Sequence, residues 1–321
     1  DLIDAETAEA AKNAVCQLDG VLSRTIAGIY DGLMAMAARF YAVVDYPDED
    51  IEDVQRQEML DTLSRAQREL ERLLATFSRG QLLKQGVPAV ILGRPNAGKS
   101  SLLNALLGYD RAIVTDIAGT TRDTVEEKVL VGGVLLRLTD TAGIRNSADR
   151  IEAMGVERSR QAAQRAALAL LVLDGSQTLT DEDEQAMAAA EQTPRLLVLV
   201  NKSDLPQKLD TAALAERFPR VLHISAQTGA GLDALAEAVA ALYPAGETPA
   251  GELLTNARQA DAVERALSAV AEARGALEMG MTPDVVLTDC EAALEALGEL
   301  NGKRIREDLV DTIFSRFCVG K

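Results

Sequence analysis

Tryptophan is absent from this sequence, aromatic residues make up only 3% of it, and histidine occurs once. That histidine, His223, lies in a short apolar segment and indicates a structural role, so triads built on histidine are excluded. The three cysteines, Cys16, Cys290 and Cys318, have no C-x-x-C spacing, which argues against a zinc knuckle and a disulfide framework. Cys16 and Cys290 lie in helical patterns, and we expect both to be small core residues.

Long apolar runs and excess positive charge are also missing. No run of about 18 apolar residues occurs, and no basic segment followed by an apolar one opens the sequence. We therefore expect neither a membrane span nor an export signal, and a cytoplasmic location. The formal net charge of −17 repels nucleic acid, so an RNA partner would have to be met by a local basic patch or by another protein.

The 321 residues suffice for two domains, and their apolar pattern changes character twice. Up to about residue 85 it is helical, with one apolar stripe formed by Leu60, Leu63, Leu70, Leu73, Leu74 and Phe77. From there to about residue 245, short apolar runs alternate with helical ones, which is typical of a doubly wound, mostly parallel sheet. The predicted strands are 87–92, 126–131, 134–139, 169–174, 196–201 and 221–225.

Helical patterns return after a segment rich in proline and glycine, 244–251, which predicts a linker. They are interrupted at 280–283 and end in a predicted amphipathic helix over 305–317. We expect one all-α helical domain, made of residues 1–85 and 246–321, into which an α/β domain of residues 86–245 is inserted. The predicted fold class is thus an α/β P-loop domain within a helical domain.

A phosphate-binding loop follows the first predicted strand. The segment GRPNAGKSS begins at Gly93 and fits G-x-x-x-x-G-K-[ST], with a helical pattern after it. Backbone N–H groups of such a turn converge on phosphate oxygens, Lys99 would neutralise the β- and γ-phosphates, and Ser100 would offer its hydroxyl to Mg²⁺. The predicted nucleotide contacts in this loop are Asn96, Ala97, Gly98, Lys99, Ser100 and Ser101.

A second motif predicts that the base is guanine. Asn201, Lys202, Ser203 and Asp204 follow the apolar segment 196–200. A carboxylate such as that of Asp204 can accept hydrogen bonds from both N1–H and N2–H₂ of guanine, whereas adenine offers neither donor. Backbone groups after the next strand would complete the pocket, at Ser225, Ala226 and Gln227.

Two further segments predict contacts to the metal and the γ-phosphate. Asp140, Thr141, Ala142 and Gly143 end another strand, where Asp140 would hold Mg²⁺ through water and the Gly143 N–H would meet the γ-phosphate. Between the two phosphate motifs lies TDIAGTTRD, whose Thr121 is the candidate to complete the Mg²⁺ shell. Its predicted nucleotide-contacting residues are Thr115, Asp116, Ile117, Ala118, Gly119, Thr120 and Thr121.

With these motifs the sequence resembles the MnmE (TrmE) family of tRNA-modification GTPases, within the translation-factor-like G proteins. Besides the nucleotide motifs, the resemblance rests on DLIDAET, QLDGVLS, VDYPDEDI and the closing F-C-V-G-K, and it covers essentially the whole chain. The family also has an N-terminal domain for folate binding and dimerisation, to which nothing in this sequence corresponds. We expect a GTPase that cooperates with the FAD protein MnmG in modifying the tRNA wobble uridine at C5.

The resemblance also implies two catalytic groups that the motifs do not identify: one that orients the attacking water and one that supplies positive charge at the phosphates. Many small G proteins carry a water-orienting glutamine after D-x-x-G, but Ile144 stands there, and the resemblance implies Glu152 in its place. It also implies K⁺ activation, with the Asn96 side chain and the carbonyls of Thr115, Ile117 and Thr120 as ligands, in the role of an arginine finger. Arg94, Arg122 and Arg145 remain alternative electrostatic partners.

The resemblance further implies that G domains pair transiently within a homodimer whose stable contact is the N-terminal domain. Lys321 would contact the folate one-carbon donor carried by that domain, and Cys318 is a candidate for the modification step. A buried thiol is the alternative for Cys318, since an unperturbed cysteine is a poor nucleophile. For the whole chain two other functions stay open: a ribosome-assembly GTPase that binds rRNA, and a scaffold that binds nucleotide without turnover.

Overall fold

The computed structural model describes residues 2–3, 5–45, 55–109, 127–139, 160–244 and 250–317. These residues form two compact units. One combines residues 9–81 with 247–321, and the other is built mainly from residues 82–246. The chain therefore leaves the first unit and later returns to it.

The first unit consists of helices packed on a shared apolar core. Its core joins buried residues from both parts of the chain, such as Leu63 and Leu70 from the first part and Val263 and Leu294 from the second. The apolar stripe predicted around Leu70 is buried as its helical spacing requires. The helices are α1 (Ala8–Leu18), α2 (Val21–Asp45) and α3 (Arg56–Ala75), with α4 (Phe77–Gln85) at the boundary between units. After the second unit they are α9 (Ala257–Glu278), α10 (Pro283–Asn301) and α11 (Ile305–Phe317).

The second unit is a six-stranded sheet with helices. Its strands in chain order are β1 (Val87–Leu92), β2 (Glu127–Val131), β3 (Val134–Leu138), β4 (Leu168–Asp174), β5 (Leu196–Asn201) and β6 (Val221–His223). The order across the sheet is β2-β3-β1-β4-β5-β6, with only the β2–β3 pair antiparallel. The helices are α5 (Lys99–Tyr109), α6 (Asp181–Ala190), α7 (Thr211–Arg217) and α8 (Leu232–Leu242).

Apolar residues of the central strands alternate between two separate cores, one on each face of the sheet. In β4, Leu170 and Val172 belong to one core, while Leu171 and Leu173 belong to the other. A strand buried on both faces has a continuous apolar sequence, which is why the segment 169–174 could be recognised as a strand, one residue short of the observed β4. The predicted fold class, a mostly parallel α/β sheet together with a helical domain, is confirmed.

Three smaller predictions have mixed outcomes. The predicted linker is mostly outside the described residues, but at its end Gly251 is buried and its N–H donates to Oδ1 of Asn13 at 2.8 Å, so this end is packed.

Cys290 is buried as expected, whereas Cys16 is only half-buried, because its helix α1 has a largely exposed surface. His223 ends β6 and is exposed. Among the helices in the described ranges, none is long and apolar enough to cross a membrane.

Candidate functional site

The phosphate loop connects β1 to α5 and contains residues with left-handed backbone angles. Gly98 has φ of 106°, and a Cβ atom there would lie 2.1 Å from Nδ2 of Asn201. Asn96, with φ of 61°, is exposed in the turn. The first turn of α5 closes with a 2.8 Å hydrogen bond from the Leu102 N–H to the Gly98 carbonyl, so the helix begins directly at the loop. Such a helix start favours an anion.

Lys99 lies within this loop. Its ammonium donates to the carbonyls of Gly93 and Arg94, both at 2.7 Å. These bonds use two of its three N–H donors, which leaves one for a phosphate oxygen. Burial lowers the pKa of the Lys99 ammonium, and the nearby Arg94 lowers it further, whereas Glu182 acts in the opposite direction. An anion bound at the loop would favour the charged ammonium and so offset both the burial and the repulsion from Arg94.

Asn201 joins the phosphate loop to the segment after β6. Its side chain is buried, with Nδ2 donating to the Ala97 carbonyl at 2.9 Å and Oδ1 accepting from the Ala226 N–H at 2.9 Å. The residue ends β5, so the strand fixes its position. Both polar atoms of one amide therefore hold two loops together. The residues that they bond, Ala97 and Ala226, are 129 positions apart in the sequence.

Asp204 is held by the following loop but stays exposed. Its Oδ1 accepts a 2.6 Å hydrogen bond from the hydroxyl of Ser225, which is itself fully buried. The Ser225 hydroxyl also accepts from the Thr228 N–H at 3.2 Å, and the Ser203 N–H donates to the Ile224 carbonyl at 3.0 Å. The hydrogen bond from Ser225 thus orients the carboxylate at the carboxyl edge of the sheet, and the exposed side chain stays accessible to a ligand.

Two residues of this region were missed at the level of sequence: Asp174 and Asp183. Asp174 ends β4, where its side chain is 2% exposed and pairs with Lys202 Nζ at 2.7 Å. Asp183 is buried in the first turn of α6, where it forms a capping box with Thr180. A carboxylate that ends an otherwise apolar strand was the available signal for Asp174.

Arg94 is directed to these two carboxylates. Its guanidinium is 14% exposed and lies 3.2 Å from Asp183 and 3.6 Å from Asp174. Nη2 also donates to Oε1 of Gln177 at 2.8 Å. A guanidinium engaged in this way faces the protein, which disfavours the alternative in which Arg94 supplies charge to a reacting phosphate.

The remaining predicted site residues lie outside the described residues. They are Thr115, Asp116, Ile117, Ala118, Gly119, Thr120, Thr121, Arg122, Asp140, Thr141, Ala142, Gly143, Arg145, Glu152, Cys318 and Lys321. The structure therefore brings together the phosphate loop, Asn201 to Asp204, and Ser225 with Ala226. Gln227 follows them in an exposed turn.

Donor chemistry at the loop fits hard cations. Ser100 places a hydroxyl in the first turn of α5, and Asn96 places an amide oxygen in the preceding turn. Both are oxygen ligands of the kind that Mg²⁺ and K⁺ accept. Within the described residues no group of three or more histidine, cysteine or acidic side chains could hold a metal.

Comparison with known proteins adds a family. The family model described as the MnmE helical domain matches residues 1–318. A protein from Lactococcus lactis subsp. lactis (strain IL1403), named tRNA modification GTPase MnmE, is 44% identical over 324 residues, which covers 100% of this chain and 70% of that protein. Proteins of the same name from Heliobacterium modesticaldum and Geobacillus thermodenitrificans are each 42% identical, again over 100% of this chain and about 70% of their own length.

Proposed function

We propose that this chain, which belongs to the MnmE helical-domain family, is a GTPase whose hydrolysis of GTP to GDP serves the modification of tRNA. Family membership and the α/β fold of residues 82–246 agree on a nucleotide-hydrolysing unit. The relatives are named as tRNA modification GTPases, and we extend that name's substrate to this chain.

The observation that carries the proposal is the bridge made by Asn201. One buried amide joins the phosphate loop at Ala97 to the loop after β6 at Ala226. Beside it, Ser225 orients Asp204, whose two oxygens match the adjacent N1–H and N2–H₂ donors of guanine. Adenine would leave that carboxylate without a donor, so the site selects GTP over ATP.

Hydrolysis divides among residues on the loop and residues outside the described part of the chain. Lys99 would bind the β- and γ-phosphates, and Ser100, Thr121 and, through water, Asp140 would hold Mg²⁺. Bound there, Mg²⁺ neutralises charge on the phosphate oxygens. The Gly143 N–H binds the γ-phosphate, and Glu152 orients the attacking water in place of the glutamine that Ile144 replaces.

K⁺ stimulation is part of the proposal. Asn96 is exposed in the turn of the phosphate loop, and carbonyls of Thr115, Ile117 and Thr120 would complete the ligand set. K⁺ bound there supplies positive charge beside the β- and γ-phosphates. Support comes from Arg94, because its guanidinium is engaged in ion pairs with Asp183 and Asp174 rather than left for that task.

Partners follow from the same family. We propose that hydrolysis accompanies transient pairing of two G domains within a homodimer, and that the chain acts in the cytoplasm with MnmG on C5 of the tRNA wobble uridine. A folate one-carbon donor would lie near Lys321, with Cys318 close to the modification step. The net charge of −17 favours a protein partner that supplies the basic surface for tRNA.

Single-turnover hydrolysis of GTP in K⁺ and in Na⁺, repeated across protein concentrations, tests the proposal. We expect a faster rate in K⁺ and a rate that rises with protein concentration, because pairing orders the cation site. Asn96→Ala should lose the K⁺ advantage while still binding GDP. Equal rates in the two salts would refute the K⁺ assignment, and no hydrolysis in either would refute the GTPase itself.

Replacement of Glu152 by Ala tests the catalytic group separately. We expect unchanged GTP affinity and a slower single-turnover rate, because a water-orienting residue acts after binding. A wild-type rate for Glu152→Ala would remove this residue from the mechanism and leave the rest of the proposal standing.

A further inference from the structure

Two cationic side chains from different segments meet at one carboxylate. Oδ2 of Asp174 lies 2.7 Å from Nζ of Lys202 and 3.6 Å from Nη2 of Arg94. Arg94 belongs to the phosphate loop, and Lys202 belongs to the loop that carries Asp204. Asp174 is therefore a direct ionic connection between the two loops, in addition to the amide bridge of Asn201.

The sheet register explains why these residues meet. Asp174 ends β4 opposite Asn201 in the neighbouring strand β5, so Lys202 follows one residue beyond the paired position. Lys202 has φ of 62°, a left-handed angle that turns the chain just after β5 ends. On the other side β1 pairs with β4 in parallel, and the phosphate loop leaves β1 next to the end of β4. Two neighbouring strands thus deliver one cation each to the strand between them.

The carboxylate is firmly held in this position. Its other oxygen, Oδ1, accepts from the backbone N–H of Ser176 at 3.0 Å and from the Ser176 hydroxyl at 2.6 Å. Burial raises the pKa of the Asp174 carboxyl, but the hydrogen bonds from Lys202 and Ser176 together outweigh burial, and the pKa lies below its usual range. The group is therefore a fixed negative charge at neutral pH.

Arg94 is also held by a second carboxylate. Its Nε lies 3.2 Å from Oδ2 of Asp183, which caps α6 together with Thr180. The guanidinium is thus held between the end of β4 and the start of α6. The phosphate loop carries Lys99 at its centre, and Arg94 lowers the pKa of that lysine, so the position of Arg94 affects the group that meets phosphate.

We propose that Asp174 is a positioning residue that couples the phosphate loop to the loop that carries Asp204. It does so by holding Arg94 and Lys202 at the same carboxylate oxygen. The inference rests on the proposed function, since it concerns the same nucleotide site. Without the carboxylate, Lys202 loses its ion pair and Arg94 keeps only Asp183, so the two cations repel each other and no common partner fixes their two loops. Loss of Asp174 then weakens nucleotide binding through both loops, although Asp174 itself does not touch the nucleotide.

The first test is Asp174→Asn, which keeps the volume and an oxygen that can accept from Ser176. We expect GDP affinity, measured by titration with a fluorescent GDP analogue, to fall by about tenfold. The matched control is Asp210→Asn. Asp210 is an exposed N-cap of α7 in the same unit, accepting from the amides of Ala212 and Ala213, and asparagine caps a helix about as well, so the same chemical change there leaves GDP affinity unchanged.

A double-mutant cycle separates coupling from general destabilisation. Arg94→Met and Lys202→Met each leave Asp174 one cation, whereas the double variant leaves the buried carboxylate without either. We therefore expect the double variant to bind GDP more weakly than the product of the two single losses, by about threefold or more. In an Asp174→Asn background the same two changes should no longer reinforce each other.

Thermal unfolding of every variant is recorded beside the titrations. Wild-type affinity in Asp174→Asn, or losses that multiply independently in both backgrounds, would overturn the inference and leave the GTPase proposal intact. A wild-type chain that binds no GDP would overturn the proposed function instead. If Asp174→Asn fails to fold, the cycle of Arg94 and Lys202 in the native background still decides, because independent losses there contradict the coupling.

Discussion

The hydroxyl of Ser225 donates a hydrogen bond of 2.6 Å to Oδ1 of Asp204, although the two residues lie on loops that follow different strands. The serine is fully buried, and the carboxylate belongs to an exposed residue. A fixed serine therefore orients a carboxylate that would otherwise rotate freely in solvent.

Replacement of Ser225 by Ala should lower GTP affinity by about tenfold, the usual worth of a hydrogen bond to a charged group. The loss should be specific to guanine nucleotides, which equilibrium titration with GTP and ATP would measure. Ser268→Ala is the matched control, because Ser268 also donates to a carboxylate, that of Glu272 at 3.1 Å, on the exposed surface of α9. A loss in the control as large as that in Ser225→Ala would contradict the assigned role.

Replacement of Gly98 by Ala should abolish tight nucleotide binding. The added Cβ would lie 2.1 Å from Nδ2 of Asn201, and φ of 106° is one that alanine rarely adopts. The clash would displace the amide that bonds to the Ala97 carbonyl and so separate the phosphate loop from the base side. Titration with GDP would measure the loss, and near-wild-type affinity would contradict the importance of the bridge.

Gly32→Ala provides the contrasting glycine substitution. Gly32 lies inside α2, and no atom outside its own helix backbone lies within 4 Å of a Cβ built there. We expect a gain of about 0.5–1 kcal/mol in the free energy of unfolding, because alanine loses less entropy than glycine in a helix. Urea denaturation would measure it, and nucleotide affinity should not change.

The Cys290 thiol should resist alkylation in the folded protein. Burial raises its pKa from 9.0 to about 12, and Asp289 and Glu291 act in the same direction. Since each pKa unit is tenfold in thiolate, about a thousandfold less thiolate is present near pH 8 than for an ordinary thiol. Mass spectrometry after iodoacetamide treatment should find the half-buried Cys16 modified well before Cys290, with Cys290 reacting only in urea. Equal labelling of the two in native buffer would contradict the packing of α10.

The fold was predictable because its signals are local. The strands at 87–92 and 196–201 match the observed bounds, since an apolar run delimited by polar residues determines both ends. The predicted strand 221–225 is shorter in the structure, where β6 ends at His223, because Ile224 and Ser225 already belong to the loop that orients Asp204.

The candidate site was predictable only where a motif names it. Lys99, Asn201 and Asp204 belong to motifs with fixed spacing, so their approximate places follow from sequence. Asp174 and Asp183 belong to none, and their contacts with Arg94 depend on which strands are neighbours in the sheet. Strand order depends on the whole fold, so no single segment of the sequence predicts it.

The substitution Asp204→Asn tests the assignment of guanine most directly. An asparagine amide can accept from N1–H but offers a donor where guanine offers another donor, whereas xanthine presents a carbonyl at that place. We predict that Asp204→Asn loses GTP hydrolysis at low substrate concentration and gains hydrolysis of xanthosine triphosphate, with Asp210→Asn unchanged for both. Unaltered affinity for GTP in Asp204→Asn, with no gain for xanthosine triphosphate, would contradict the account.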